Sequence, residues 1–462
     1  MSVQTRLVKY VGVMADYPSR ALFSWYVGLI AVGTLALLLP ICRAPGVPPF
    51  EFIDALFTAA SASTVTGLMV LSLESQLSFT GQAVVLLLIQ LGGFGIMSIG
   101  TLLFVSATGR QPVRFHVLTK ETLGAPLGAD VKRLILLVAA VTLAVEAAGA
   151  AGLMLARLGD GPFLDVLWWA VFHAVSGFCN SGISLQDASL AAWAGDPTVI
   201  LVMTGLIIAG GLGFPVLLDL RNVRKTGRDR RSLRFHTRLV VTATFFLVVG
   251  GTIVIWWLER NQGLADMGPV DAVVNALFQS VTARSAGFST LPIESLVYPS
   301  LFVLMLLMIV GGSSCSTAGG IKVPTIAVLV LQAKALVRHD WQMNAFHRRV
   351  SDRALLLAVT VTATYLVVLM IGAAVLLVLE TRDLPRAVAQ GEFLDVVFEA
   401  VSALGTVGLS TGATARLSDG GQLVVVLMML LGRVGPLAMA SSLLRRPQGP
   451  KIRYPQSEVI IG

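Results

Sequence analysis

The sequence predicts an all-α polytopic membrane protein in which four pseudo-symmetric helix–pore helix–filter loop–helix repeats surround a central pore. The prediction rests on composition, on a motif that recurs four times and on a one-sided distribution of basic residues. Of the 462 residues, 55% are hydrophobic and only 13% are charged, whereas soluble domains average about 25% charged residues. With a mean hydropathy of +0.81, the chain is not an ordinary cytosolic enzyme, a disordered chain or a disulfide scaffold.

The recurring motif is Phe-x-[Ala/Ser]-[Ala/Val]-[Ser/Thr], followed each time by a small, polar, glycine-containing segment. Its copies are Phe57–Ser61, Phe172–Ser176, Phe278–Thr282 and Phe398–Ser402. The glycine follows the Phe by 10, 10, 9 and 10 residues, at Gly67, Gly182, Gly287 and Gly408. We therefore divide the chain into repeats at residues 1–110 with an N-terminal cytoplasmic segment, 111–233, 234–349 with a glycine-rich loop at 311–322, and 350–462 with a C-terminal tail.

Each repeat contains a short apolar segment between two long ones. The first long segments lie at about 21–41, 133–157, 238–258 and 355–379, and the second at about 80–105, 198–219, 297–335 and 421–443. The short segments lie at about 51–62, 163–177, 269–282 and 391–402. Stretches of about 10–14 apolar residues are too short to span a bilayer, so we expect eight spans and four re-entrant pore helices. A helical bundle with glycine-rich packing faces is the alternative.

Acidic residues lie near the start of each short helix: Glu51, Asp54, Asp165, Asp271, Glu392 and Asp395. Carboxylates at helix N-termini are favoured by capping and by the helix dipole, so we expect them to cap the pore helices. The negative ends of these helices then point inward and favour a cation.

The glycine segments predict a cation filter, because backbone carbonyls replace the water that a cation loses in a pore. Irregular backbone at membrane depth must be buried or line a wet cavity, and glycine adopts positive φ at little cost. The predicted filter residues are Thr64, Val65, Thr66 and Gly67; Cys179, Asn180, Ser181 and Gly182; Arg284, Ser285, Ala286 and Gly287; and Gly405, Thr406, Val407 and Gly408.

Most of the 34 Lys and Arg residues fall in alternate loops and at the two ends of the chain. The positive-inside rule then places both termini in the cytoplasm. The basic segment 221–238 is read as an orientation signal or as a protein-docking surface. Nucleic-acid binding is not expected, since this loop has no interleaved aromatic residues and no fold of its own.

Five segments carry a resemblance to a known family: TVTGL, FHAVSGFCNSG, FQSVTARSAGFST, GGSSCSTAGGIK and FEAVSALGTVGLSTG, with the tail KIRYPQSEVIIG. With these the chain resembles the Trk/Ktr/HKT superfamily of potassium transporters over nearly its whole length. The resemblance implies one filter glycine per repeat, with potassium bound only at filter carbonyls in the cell membrane. It also implies a homodimer on a cytosolic ring of nucleotide-binding RCK subunits, with sodium as an activating or coupled ion left open.

A second glycine follows each filter glycine by 25, 28, 24 and 24 residues, at Gly92, Gly210, Gly311 and Gly432. Only the third copy expands, and its glycines and small hydroxyl residues interrupt a helix inside the bilayer. In the family such a loop is the gate, although a permanently structured break is the alternative. The resemblance therefore implies a gate at Gly311, Gly312, Ser313, Ser314, Cys315, Ser316, Thr317, Ala318, Gly319, Gly320 and Arg433.

Four charged residues lie within apolar sequence, where a charge is costly and tends to face a partner or a cavity. Arg433 is expected beside the gate loop, with snorkelling to the inner surface as the alternative. Arg284 is expected to brace the filter from behind, with Glu399 as a possible partner. Glu146 is read as a buried hydrogen-bonded group between repeats, or else as a coupling-ion site.

No enzyme constellation is present: the sequence has no Walker A segment, catalytic triad or metal motif, and no cofactor is expected in this chain. Cys179 and Cys315 are read as tolerated small residues rather than redox sensors. Two alternatives to potassium uptake remain, namely a sodium-selective transporter of the same superfamily and a non-transporting membrane sensor.

Overall fold

The computed structural model describes residues 18–108, 131–226, 233–314, 316–340, 342–382 and 385–435. Both chain termini, Cys315, Arg110, Arg114, Lys120 and the basic tail lie outside these residues, so the predicted cytoplasmic orientation of the termini is not observed. The described chain is helical apart from loops, four short 3₁₀ turns and one small hairpin. The all-α prediction is confirmed.

The fourteen described α-helices fall into four groups that follow the four repeats. The first group is α1 (Pro18–Leu37), α2 (Phe52–Thr64) and α3 (Phe79–Thr108); the second is α4 (Val131–Ala156), α5 (Phe163–Cys179), α6 (Pro197–Leu212) and α7 (Phe214–Thr226). The third is α8 (Phe235–Glu259), α9 (Pro269–Thr282), α10 (Tyr298–Ile309) and α11 (Val323–Val337), followed by β1 (Asn344–Ala345) and β2 (Arg348–Arg349). The fourth is α12 (Asp352–Thr381), α13 (Arg386–Gly405) and α14 (Asp419–Val434).

The first helices of repeats 2, 3 and 4 are long and uniformly apolar. Residues Leu136–Ala156, Phe235–Glu259 and Asp352–Thr381 are each long and apolar enough to cross a bilayer. Large apolar side chains such as Phe245, Phe246, Met370 and Ile371 are exposed on α8 and α12, as expected for helices that face lipid.

Within the described residues the second helix of each repeat is interrupted or ends at a point that includes a glycine with positive φ. In repeat 1 it is Gly95 (φ 63°), within α3. In repeat 2 it is Gly213 (φ 82°), where α6 and α7 bend by 103°. In repeat 4, α14 ends before Gly435 (φ 89°), and in repeat 3 residues 310–322 separate α10 from α11. Counting α6 with α7 as one bent span gives up to four unbroken or bent spans among the described residues, so eight crossings remain a prediction.

The four repeats close into a ring because each second helix packs against the short helix of the next repeat. Helix α3 packs on α5, α6 on α9 and α10 on α13, while α14 returns to pack on α2. The first residue of each motif copy, Phe57, Phe172, Phe278 or Phe398, is fully buried in these contacts. The repeated Phe therefore belongs to the core that holds the four short helices around one axis.

The acids at the starts of the short helices do not cap them as expected. Glu51 is the residue before α2, yet its side chain makes no capping hydrogen bond. Helix α13 begins at Arg386 rather than near 391, so Glu392 and Asp395 lie within it and contact Arg416 at 3.3 and 3.4 Å. Asp54, Asp165 and Asp271 do lie in the first turns of their helices, where the dipole favours a negative charge.

Candidate functional site

Each short helix reaches the ring centre and is followed by a residue with left-handed backbone. These residues are Val65, Asn180, Ser285 and Thr406, with φ of 56°, 58°, 70° and 46°. Two residues later comes the glycine of each segment, with φ of 102° at Gly67, 74° at Gly182, 77° at Gly287 and 93° at Gly408. Two left-handed residues so close together turn the chain sharply away from the helix axis, and a side chain at the second would be strained.

The hydroxyl residue that ends each motif copy fixes this turn. Ser61 accepts the N–H of Thr66 on its carbonyl at 2.9 Å and the N–H of Gly67 on its Oγ at 3.0 Å. Ser402 does the same for Val407 at 2.9 Å and Gly408 at 3.1 Å. The conformation of the glycine segment is thus set by the last Ser or Thr of the motif, a role that sequence reasoning missed although the fourfold Ser/Thr was visible.

In repeats 2 and 3 the corresponding hydroxyl instead donates to the carbonyl of the residue that follows the ring glycine. The Oγ of Ser176 donates to the carbonyl of Ile183, and the Oγ1 of Thr282 donates to the carbonyl of Phe288, each at 2.7 Å. In repeat 3 the short helix ends at Thr282, four residues after the motif Phe, whereas the other three short helices end seven residues after it. Its left-handed residue follows the motif Phe by one residue fewer than in the other repeats, which accounts for the shorter Phe-to-Gly spacing.

The four glycines form a closed ring in chain order. A Cβ built on Gly67 would overlap the carbonyl oxygen of Ser181, and one on Gly182 would lie 2.7 Å from the carbonyl oxygen of Ala286. In the same way Gly287 faces the Val407 carbonyl and Gly408 faces the Thr66 carbonyl. Any side chain at these positions would therefore meet the backbone of the next repeat, and the ring tolerates only glycine without a shift of backbone.

Outside this ring lies an open vestibule of about 410 Å³ whose lining includes all four glycines. Its other residues are mostly small, polar or apolar, and within the described chain Asp187 contributes its one charged side chain. The Oγ of Ser72 holds this carboxylate through contacts of 2.7 and 2.8 Å to its two oxygens. A cation approaching the ring from this side meets a fixed negative charge.

Arg284 begins the third glycine segment, and its side chain is buried. The Glu399 carboxylate accepts hydrogen bonds from Ser410 and from Thr414, the latter at 2.7 Å, and so braces the fourth segment. Arg284 is 7% exposed, and its Nε is buried without a hydrogen-bond partner among the described residues. Glu399, named above as a possible partner of Arg284, is thus engaged by two hydroxyls of its own repeat.

The interruption between α10 and α11 lies directly beneath the ring. Its ends are held together by hydrogen bonds of 3.0 Å from Gly311 N to Ile321 O and from Ile321 N to Ile309 O. Ser313 N donates to Gly211 O at 2.9 Å, and Thr317 Oγ1 donates to Phe178 O at 3.1 Å. The predicted gate residues that the structure describes are 311–314 and 316–320. They form one loop that contacts the C-terminal ends of the short helices α5 and α13.

Arg433 anchors this loop from the last helix. Its Nη1 donates to the Thr317 carbonyl, its Nη2 to the Gly92 carbonyl at 2.8 Å, and its Nε to the Tyr26 hydroxyl at 3.1 Å. The guanidinium thus connects the loop of repeat 3 to the first and second helices of repeat 1. The donors are used within the protein, which is not the geometry of a side chain that snorkels to the surface.

Three of the second glycines have a common packing role. A Cβ on Gly92, Gly210 or Gly432 would overlap the carbonyl of Ser63, Phe178 or Leu404, in each case the carbonyl four residues before the ring glycine. Without a side chain, these three glycines let the second helix approach the end of a short helix. The second helix is interrupted or ends three residues later, at Gly95, Gly213 and Gly435. The equivalent Gly311 faces Gly319 of its own loop instead.

Glu146 lies between repeats, as the sequence led us to expect. It is 5% exposed and accepts from Gln90 Nε2 at 3.3 Å on each oxygen. The Sγ of Cys179 lies 3.9 Å from both Glu146 Oε1 and Gln90 Oε1. These contacts join the second helix of repeat 1 to the short helix of repeat 2.

Comparisons with known proteins agree on one family. The TrkH family model, described as a cation transport protein, matches residues 31–453. The chain is 34% identical to the Ktr system potassium uptake protein B of Bacillus subtilis, over 96% of this chain and 97% of that protein. It is 32% identical to the potassium/sodium uptake protein NtpJ of Enterococcus hirae, over 96% and 97%. The crystal structure of the potassium transporter TrkH from Vibrio parahaemolyticus matches with a TM-score of 0.72 over 91% of this chain and 82% of that one, at 20% identity.

Proposed function

This chain belongs to the TrkH family of cation transport proteins, and we propose that it takes up potassium across the cytoplasmic membrane through the ring of Gly67, Gly182, Gly287 and Gly408. The closed ring of glycines carries the proposal. It supports a filter in which carbonyls from four segments replace the hydration shell of a dehydrated cation. The family is one of transporters and not of enzymes.

Selectivity for potassium is supported by two observations. All four positions hold glycine, so no side chain enters the ring. One of the relatives named above is called a potassium uptake protein. The negative ends of four helices and the carboxylate of Asp187 then favour a cation over an anion on the path.

The loop at 311–320 serves as the gate in this proposal, with Arg433 as its latch. Its contacts to Phe178 and Gly211 support a loop that obstructs the inner side of the filter. The hydrogen bonds from Arg433 to Thr317 and Gly92 support a latch, because bonds from a charged donor contribute about 1.5–3 kcal/mol each.

Control by a partner completes the proposal. Several relatives carry the name of a Ktr system, and the name of a system is consistent with further subunits. We assign this chain the role of a homodimeric membrane subunit on a cytosolic ring of RCK-type nucleotide-binding subunits, with both termini cytoplasmic. Uptake measured with and without sodium decides whether sodium activates transport, is coupled to it or has no effect on it.

The test is rubidium uptake into proteoliposomes that contain the chain, with sodium as competitor. Potassium selectivity predicts that excess potassium abolishes rubidium uptake and that an equal excess of sodium does not. Gly67→Ser should weaken this discrimination, because its Cβ overlaps the Ser181 carbonyl. Gly205→Ser is the matched control, since nothing lies within 4 Å of a Cβ on Gly205. Absent uptake, even with an RCK partner present, favours a sensor subunit and overturns the proposal.

Sodium-selective uptake is the second candidate, favoured by the potassium/sodium uptake protein among the relatives. It predicts that sodium competes with rubidium as well as potassium does, and that Gly67→Ser leaves this competition unchanged. The same vesicles separate the two candidates.

A further inference from the structure

The hydroxyl of Ser285, in the third filter segment, lies between the gate loop and the fourth filter segment. Its Oγ accepts the N–H of Gly319 at 2.8 Å and donates to the carbonyl of Thr406 at 2.7 Å. Ser285 and Thr406 are fully buried, and Gly319 is buried as well. One side chain therefore contacts the loop on one side and the fourth filter segment on the other.

The direction of both hydrogen bonds is fixed by chemistry. A backbone N–H can only donate, so Gly319 occupies the Ser285 oxygen as an acceptor. The single hydroxyl proton must then go to another acceptor, and the Thr406 carbonyl is nearest. Such a chain of two bonds is cooperative, since an accepted bond strengthens the donated one.

The other contacts of the loop are with the ends of the short helices and with side chains just after them. Thr317 reaches the Phe178 carbonyl and lies 3.1 Å from the Asn180 side chain. A Cβ on Gly319 would overlap Thr406 Oγ1 and lie 2.9 Å from the Gly405 carbonyl, so the loop fits closely against α13. The contact at Ser285 differs because it continues to a carbonyl of the filter segment itself.

We infer that Ser285 couples the position of the gate loop to the strength of ion binding at the inner end of the filter. The inference rests on the proposed function. While the loop is in place, the Ser285 proton engages the Thr406 carbonyl and competes with an ion for that oxygen. When the loop withdraws, Gly319 leaves with it, and the hydroxyl turns to Thr406 Oγ1, which lies 3.4 Å away. The Thr406 carbonyl is then free to bind the ion.

Reciprocity follows from this coupling. If opening strengthens ion binding, ion binding must favour opening by the same factor. An ion at the inner end of the filter thus promotes its own exit past the loop, and an empty filter favours the closed state. Ser285 is a positioning residue in this scheme, since it acts through the Thr406 carbonyl and through the loop.

The test is a double-mutant cycle between Ser285→Ala and deletion of residues 311–320, with the half-saturating rubidium concentration as the readout. A single hydrogen bond corresponds to about a fivefold change in an equilibrium constant. Loop deletion should therefore lower the half-saturating concentration about fivefold with Ser285 present, and hardly at all with Ser285→Ala. Ser285→Ala alone should already show the lowered value. Independent, additive effects of the two changes overturn the inference.

Three further variants serve as controls for this test. Ser285→Gly also lacks the hydroxyl and suits the left-handed backbone, with φ of 70°, so it must reproduce Ser285→Ala. Ser300→Ala removes a buried hydroxyl of the same repeat that has no partner among the described residues, and should change nothing. Thr317→Val loosens the loop without touching Thr406, so it should raise uptake and reduce, without abolishing, the effect of Ser285→Ala.

The outcomes separate this inference from the proposed function. If loop deletion raises uptake in every background and shifts half-saturation equally with and without Ser285, the gate stands and the coupling is wrong. If loop deletion does not raise uptake in any background, the proposed gate is wrong and the coupling falls with it.

Discussion

The second helices of repeats 3 and 4 differ at the same position. In repeat 4 the helix continues past Gly432, which packs against the Leu404 carbonyl, and ends at Val434. In repeat 3 the helix ends at Ile309, just before the equivalent Gly311, and a 13-residue segment from 310 to 322 follows. On three sides of the ring, the glycine of a second helix packs directly against the end of a short helix. On the side of repeat 3, Gly311 instead faces Gly319 of its own loop, and this loop lies beneath the ring.

Comparing Gly432→Ala with Gly311→Ala should give the largest difference, in both the yield of folded protein and uptake. A Cβ on Gly432 overlaps backbone of the adjacent short helix, and overpacking of this kind costs about 1–3 kcal/mol. We expect much less folded protein and little uptake. A Cβ on Gly311 meets Gly319 of the loop, so this variant should displace the loop and raise uptake per molecule. Size-exclusion yield and rubidium uptake check both, and equal losses in the two variants would falsify the comparison.

The next effect concerns the latch between the two regions. Arg433→Gln removes the charged donors to Thr317 and Gly92, and we expect basal uptake without a partner to rise about tenfold. Arg433→Lys keeps the charge but loses the forked geometry, so it should give an intermediate rise. Unchanged basal uptake in both variants would show that the loop is held without this arginine.

A smaller effect, on ion selectivity, is expected from the serines that hold the glycine segments of repeats 1 and 4. Ser61→Ala and Ser402→Ala each remove the oxygen that accepts the N–H of a ring glycine. The loss of one such bond costs about 1 kcal/mol. The preference for potassium over sodium should therefore fall about fivefold. Competition by sodium in the uptake assay measures it. A rise in basal uptake without a change in discrimination would contradict this assignment, because these serines do not touch the loop.

The smallest effect should come from the outer side. Asp187→Asn removes the charge of the vestibule while keeping an acceptor for Ser72. The half-saturating rubidium concentration should rise about twofold at low ionic strength, and the difference should vanish in high salt because salt screens exposed charges. Basal gating should not change. A shift that persists at high salt would mean that Asp187 contacts the ion directly.

Much of the architecture could be predicted from the sequence, because the fourfold motif and the lengths of the apolar segments follow directly from residue type. The boundaries of the first and short helices mostly agree within a few residues, and the interruption after Ile309 lies where the glycine-rich segment predicted it. The breaks at Gly95 and Gly213 and the end of α14 at Val434 were not predicted. The filter and gate roles stay predictions until transport is measured. Their residues nevertheless come together around one axis, as the ring of glycines illustrates.

Other features could not be predicted, because they depend on which repeats become neighbours. The Glu399 carboxylate accepts hydrogen bonds from Ser410 and Thr414 rather than pairing with Arg284, and the sequence positions of these residues do not reveal this. The packing of Gly92 against Ser63 and the break three residues later need the angle between two helices. The link from Gly319 through Ser285 to Thr406 joins three distant parts of the chain, and no periodicity points to it.

The return of α14 onto α2 has a consequence for biosynthesis. Helix α2 begins at Phe52, and its last partner ends at Val434, so most of the chain must be made before the ring can close. At 5–20 residues per second this delay is roughly 20–75 seconds. During that time the first short helix sits in the membrane with one side uncovered. Chains that stop before Asp419 should therefore be captured by insertion chaperones or membrane proteases, and pulse-labelled truncations would reveal the length at which they escape.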